Sequence, residues 1–221
     1  LLRAPFHSVQ GIRDGASLSL INGDLLGGGA LLAGAPPPNF MDRIAGVTAL
    51  ESRDGSDQQT RFRVSANILT ATALGEGPIR RRAKAEASGS WLISFRRSFQ
   101  QYLAGKIAPS DPSLDFSFTD VQGKAVYRMA EAHSVSLQFF DGFGGIDRSR
   151  LRTGTSLNEL IDADSRSSLV RVNYRYAPSS RLVAAHTAAF SRERYENRNR
   201  LDLPLARDEE HQCTTQESMF N

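Results

Sequence analysis

Seven cationic side chains recur along this 221-residue chain at positions that alternate with apolar or small residues: Arg61, Arg63, Arg96, Lys124, Arg128, Arg171 and Arg175. A guanidinium carries five N–H donors in a planar fork, which suits carboxylates and other oxyanions. Held on one face, such a set can grip another part of the chain or attract an anionic solute such as a carboxylate-bearing chelate. Catalytic signatures are missing from the sequence. There is no Gly-x-Ser-x-Gly elbow and no His-Glu-x-x-His pair, and His7, His133, His186 and His211 are scattered. Gly27 to Gly29 are not followed by the Gly-Lys-Ser/Thr of a phosphate loop, so they read as turn glycines. Asp141 and Asp147 bracket a glycine-rich stretch, but at a spacing foreign to the EF-hand, which makes it a solvated loop. Cys213 stands alone, so there is no disulfide framework and no metal-binding cysteine pair. The residues therefore predict no enzyme, no metal site and no cofactor.

The elements that carry these cations read as strands. From Ser168 to Arg181, Val170, Val172, Tyr174 and Tyr176 fall on one side of an extended chain, with Arg171, Asn173 and Arg175 on the other. That period of two marks a strand with one apolar face. Ala177-Pro178-Ser179-Ser180 then supplies a turn, and LVAAHTAAFSRERY runs back as a further strand. The same alternation places Phe62, Val64, Ala66 and Ile68 opposite Arg61, Arg63, Ser65 and Asn67, and a second strand covers 70–77. Pro78 to Gly89 reads as a loop. Trp91, Ile93, Phe95 and Phe99 form the apolar side of the next strand, and a longer loop spans Gln100 to Leu114. A strand at 119–129, a reversal at 130–133 and a strand through Val135, Leu137 and Phe139 follow, then a long polar loop at 142–167. Beyond Arg192 the sequence turns polar and yields no elements.

Residues 1–57 have a different texture, rich in Gly and Pro. Leu18–Ile21, Leu25–Ala33 and Gly46–Arg53 read as short strands or loops, with Asn22-Gly23 as a hairpin turn and Asp54 to Asp57 as a boundary. The net charge of +3, with no basic run longer than Arg80-Arg81-Arg82, gives no reason to expect nucleic acid. Apolar runs fall far short of the roughly 18 residues a membrane helix needs, although a transmembrane barrel remains possible because its strands are only half apolar. Short connections near 131 and 179 against a long one at 142–167, with Tyr127, Tyr174 and Tyr176 near the short turns, fit such a barrel with an aromatic girdle. A soluble or surface β-sandwich, for instance a glycan-binding module, alternates in the same way. Periodicity leaves both open. The chain opens at Leu1 and stops at Asn221 in mid-pattern, which predicts a piece of a longer protein.

GSWLISFRRSF at 89–99 and FTDVQGKAVYRMAEAHSVSLQFFDG at 118–142 resemble the first barrel strands of bacterial TonB-dependent outer-membrane receptors. Pro5-Phe6-His7 resembles a plug-domain stretch of that family, LLAGAPPPNFMDRIAGVTALESRDGS at 31–56 resembles the closing run of the plug, and Leu74 to Ile79 fits the second barrel strand and its turn. Met41 departs from the pattern, standing where the family usually has Gly. The resemblance covers Pro5 to about Tyr195. It implies an all-β fold: an antiparallel up-and-down transmembrane β-barrel, partial here, with residues 1–57 as the C-terminal part of the plug domain and 58–221 as roughly the first seven strands. It implies energised uptake of a scarce nutrient, a siderophore-like chelate or other small solute, across the bacterial outer membrane. The partners would be outer-membrane lipid and the TonB energy-coupling complex, the latter through a segment outside this chain. The seven cations would face the lumen and touch the plug or the solute. Arg43 and Arg53 resemble plug arginines that pair with barrel glutamates, which are expected beyond Asn221.

Overall fold

The computed structural model describes residues 6–7, 18–19, 21–34, 46–80, 87–99, 116–147, 160–199 and 204–220. The fold is all-β with antiparallel sheets. A minimal pair, β1 (Phe6–His7) with β2 (Leu18–Ser19), and a hairpin, β3 (Leu26–Ala33) with β4 (Gly46–Ser52), come from the N-terminal region. An eight-stranded sheet follows: β5 (Arg61–Ala66), β6 (Thr70–Arg80), β7 (Ala87–Ser98), β8 (Phe116–Ala130), β9 (His133–Asp147), β10 (Leu160–Ser179), β11 (Leu182–Asn199) and β12 (Pro204–Phe220). Each strand pairs with its neighbours in sequence, a continuous meander. The sheet is open: β5 and β12 are its edges and do not pair with each other.

The strands reach further than alternation alone indicates. Both ends of the expected loop at 142–167 are strand, because Gly142 to Asp147 pair with Asp162 to Ser167, and the residues between, 148–159, lie outside the described ones. Glycine contributes no side chain to mark a face, so a paired Gly-rich segment looks like a loop. Gly142 to Gly145, expected in a solvated loop, lie in β9. The connections at 131–132 and 180–181 are tight, and those at 99–115 and 148–159 on the opposite rim are long. The 67–69 connection on that second rim is short as well. β11, expected from its first residues, continues to Asn199, and β12 occupies the polar stretch beyond it, so among the described residues the sheet has eight strands where roughly seven were expected.

Two readings in the N-terminal region change. Asn22-Gly23 is not a hairpin turn; Asn22 caps a 3-10 turn over Gly23–Leu25, its Oδ1 accepting from the Asp24 N–H at 3.1 Å. Gly27 to Gly29 lie in β3, with an irregularity between Leu26 and Gly28, rather than in a turn. A glycine inside a strand commonly marks such a bulge.

Register divides the large sheet into two faces. One is covered by the N-terminal region, where Leu25 packs into a buried cluster with Leu74 of β6 and Leu92 of β7. The chain then crosses the sheet at Gly55, where a Cβ would lie 2.0 Å from the Trp91 carbonyl oxygen. Only glycine permits that approach. The other face is bare. The row Phe62, Gly75, Ile93, Gly123, Phe139, Val170 and Phe190 runs across it from β5 to β11. The Phe139 ring lies so close over Gly123 that a Cβ there would meet it at 2.4 Å.

Candidate functional site

The covered face is organised on one row of side chains: Arg61, Glu76, Leu92, Lys124, Gln138 and Arg171, each the register partner of the next. Three consecutive residues at the end of β4 lie across it. Arg53 Nη1 meets Glu76 Oε2 at 2.5 Å. Asp54 Oδ1 meets Lys124 Nζ at 2.7 Å, and the same ammonium donates to the Ser52 carbonyl at 2.7 Å. Gln138 Nε2 donates to Ser52 Oγ. Arg53 is steadied from its own side, since its Nε donates to the Asp24 carbonyl at 2.8 Å and its backbone N–H to that of Leu25. A cation and an anion, adjacent in sequence, thus pair with opposite charges two strands apart. Leu92 lies between them on the row.

Further contacts extend this clasp. Asn22 Nδ2 donates to Ser94 Oγ at 2.9 Å in a buried setting. Arg96 Nη2 donates to the Ser19 carbonyl at 2.5 Å while its Nε donates to Asp120 Oδ2 at 2.9 Å, and the guanidinium stands 4.9 Å from the centre of the Phe118 ring. Arg63 and Asp24 approach to 3.7 Å, both well exposed. A cavity of about 130 Å³ lies beside the clasp, bounded by Leu25, Leu50, Leu92, Phe140 and Leu169 with Lys124 at its side.

All seven cations singled out in the sequence fall on this covered face by register. Arg63, Arg96 and Lys124 touch the N-terminal region, and Arg61, Arg128, Arg171 and Arg175 are exposed. Arg43 lies outside the described residues, as does Met41. The partner of Arg53, expected beyond Asn221, is Glu76 within this chain. Glu76 escaped the sequence reading because its strand, TATALGEGPIR, mixes small residues on both faces. Asn22 and Asp54 were read only as turn formers.

The bare face carries different chemistry. Phe62, Val64, Ile93, Phe95, Leu137, Val170, Val172 and Phe190 stand exposed on it, Phe62 and Val64 to about four fifths. At the short-turn rim, Tyr174 stacks between His133 and His186, and its hydroxyl is 2.6 Å from His133 Nδ1. Toward the long-loop rim the face becomes charged. Asp141 accepts from Arg166 Nε and Nη2 at 3.1 and 3.0 Å and from Ser168 Oγ at 2.6 Å. Partial burial pushes the Asp141 carboxyl upward, but the hydrogen bonds from Arg166 and Ser168 and the Arg166 charge outweigh it, so its pKa lies below the usual aspartate value. The same pairing raises Arg166.

Among the described residues no cluster of three His, Cys, Asp or Glu side chains is placed to hold a metal ion, and no helix is long and apolar enough to cross a membrane. Comparison with protein-family models, with characterised proteins and with solved structures gives no match.

Proposed function

We propose that the chain is part of a TonB-dependent outer-membrane receptor, in which residues 58–221 contribute the first strands of a transmembrane barrel and residues 1–57 the end of its plug. The observation that carries this reading is the assignment of the two sheet faces. The N-terminal region docks on the polar face, and the apolar face is left bare. A contiguous exposed apolar surface of this breadth marks a membrane or protein contact. In a barrel the polar face would line the interior and the apolar face would meet lipid. A soluble sandwich packs its second layer on the apolar face instead.

Dimensions support the same reading. On β10 the bare apolar side of the strand runs from Val170 to Pro178. Roughly nine residues at about 3.3 Å each, tilted by about 40°, climb about 23 Å, close to the roughly 25 Å height of a barrel's lipid-facing band. Tyr127, Tyr174 and Tyr176 sit at the short-turn end of that band, and Asp141, Arg166 and Ser168 begin beyond its other end. The function that follows is energised uptake of a small solute, with the TonB complex as inner-membrane partner and the clasp holding the plug in place.

The test is topological. Protease added to intact cells carrying the parent protein is expected to cut in the connection between β9 and β10, near Arg148, Arg150 or Arg152. Cutting there only after the outer membrane is permeabilised would reverse the orientation or remove the protein from that membrane.

A further inference from the structure

Beside the clasp, the space between the N-terminal region and the sheet is hollow. The cavity of about 130 Å³ has its floor on Leu92 of β7, Phe140 of β9 and Leu169 of β10, and its roof on Leu25, Leu26 and Leu50. Phe140 and Leu169 are register partners, so they form a continuous apolar step across two strands. Leu25, Leu92 and Phe140 are buried, whereas Leu26 and Leu50 remain partly exposed and make an apolar entrance. Polar groups reach the wall from Ser52, Gln122, Lys124 and Gln138. Lys124 is only 17% exposed, and Asp54 Oδ1 and the Ser52 carbonyl occupy two of its three N–H donors at 2.7 Å each. The third N–H has no partner among the described residues. The wall thus offers one strong donor whose charge Asp54 already balances.

We propose that this cavity binds a small neutral aromatic molecule carrying one oxygen acceptor, with its ring against Leu92 and Phe140 and its oxygen on Lys124 Nζ. Size sets the class. A cavity of about 150 Å³ lined by leucine, isoleucine and phenylalanine holds benzene, so a single ring suits this one. Water is a poor occupant of the apolar side, since each buried water needs about two to four polar partners. Phe140 adds a ring face or edge for an aromatic guest. The free N–H of Lys124 selects a guest with an acceptor, because a hydrogen bond from a charged donor outweighs a neutral one. Charge selects against a carboxylate, which would stand beside the Asp54 carboxylate on the same ammonium. Roof and floor belong to different regions of the chain, so the guest also favours the docked state. The proposal needs only that docking, and it stands or falls apart from the membrane reading.

The experiment titrates the full chain, held in amphipathic polymer, into para-fluorobenzyl alcohol and follows broadening of the fluorine resonance. Para-fluorotoluene, which lacks the acceptor, and para-fluorobenzoate, which is charged, are the comparisons. The alcohol is expected to bind about tenfold tighter than the toluene. Lys124→Met should erase that preference, whereas Asp54→Asn, which breaks the same ion pair but keeps the ammonium, should preserve it. Leu50→Trp places an indole at the entrance and should abolish binding of both, leaving only the background of probe dissolved in the polymer. Broadening that is absent from the parent, or unchanged in Leu50→Trp, overturns the proposal. Equal affinity for alcohol and toluene, or a preference that survives Lys124→Met, overturns it as well. A preference lost equally in Asp54→Asn does the same, because Lys124 would then act only by holding the N-terminal region. Tighter binding of the benzoate than of the alcohol overturns it in favour of an anion that displaces Asp54.

Discussion

Arg53 and Glu76 form an ion pair at 2.5 Å that ties the N-terminal region to the second strand of the eight-stranded sheet. The carboxylate side is nearly enclosed, at 8% exposure, and the guanidinium side is 28% exposed. Removing the arginine would leave the carboxylate buried without its cation. Truncating one partner of a buried pair costs about 3–5 kcal/mol, and the partial exposure of Arg53 places the expected loss for Arg53→Ala near the lower end. Replacing both members with apolar residues is far milder. Adding Glu76→Leu to Arg53→Ala should therefore recover most of the loss. Denaturant unfolding followed by the fluorescence of Trp91, the sole tryptophan, measures both. If Arg53→Ala is silent, the pair does not hold the segment.

Gly55 provides an independent probe of the same docking. A Cβ at Gly55 would collide with the Trp91 backbone, which cannot move aside as a side chain could. Gly55→Ala should cost about 1–3 kcal/mol as a forced overpacking. Gly23→Ala meets nothing within 4 Å and serves as the control, expected to stay within about 0.5 kcal/mol of the parent. Equal effects at the two sites would mean that the chain does not cross β7 where the structure places it.

The Asp141 carboxylate predicts a pH dependence with a defined sign. Its pKa in the folded protein lies below the ordinary value of 3.8 because Arg166 and Ser168 bond to the charged form against the opposing effect of burial. Its contribution is therefore fully present above the unfolded pKa and is lost as pH falls through the lower folded value. The stability difference between the parent and Asp141→Asn should be flat above about pH 5 and shrink steadily below about pH 4. Detergent-solubilised protein unfolded at a series of pH values measures it. A difference that grows on acidification would contradict the pairing.

Much of the sheet was legible because alternation is a local property. The β10 positions from Val170 to Tyr176 declare their two faces residue by residue, and all seven cations sorted onto one face as the period of two required. Gly142 to Gly145 hid the length of β9, since a segment without side chains has no face to read. Glu76 was hidden in another way. Its role depends on Arg53, which lies 23 positions earlier, and only the crossing at Gly55 brings the two together. Asn22 shows the limit of dipeptide rules: Asn-Gly suits a hairpin with positive φ at both residues, and here the asparagine amide caps a 3-10 turn instead. The stretch from Ser191 to Tyr195 alternates buried and exposed positions in the structure with polar residues on both faces, so hydrophobicity could not reveal it.

The central claim is that adjacent residues on β10 face lipid and water respectively, and single cysteines at Val172 and Asn173 test it most directly. In a Cys213→Ser background reconstituted in bilayers, Val172→Cys should react with a probe that partitions into lipid. Asn173→Cys should react with a water-soluble probe, because neighbouring residues on a strand point to opposite faces. The corresponding charge substitutions should follow suit. Val172→Arg should destabilise by about 2–4 kcal/mol near the bilayer midplane, and Asn173→Arg should cost little. Lipid labelling at 173 with water labelling at 172 would invert the register, and water access or burial at both positions would contradict the membrane barrel.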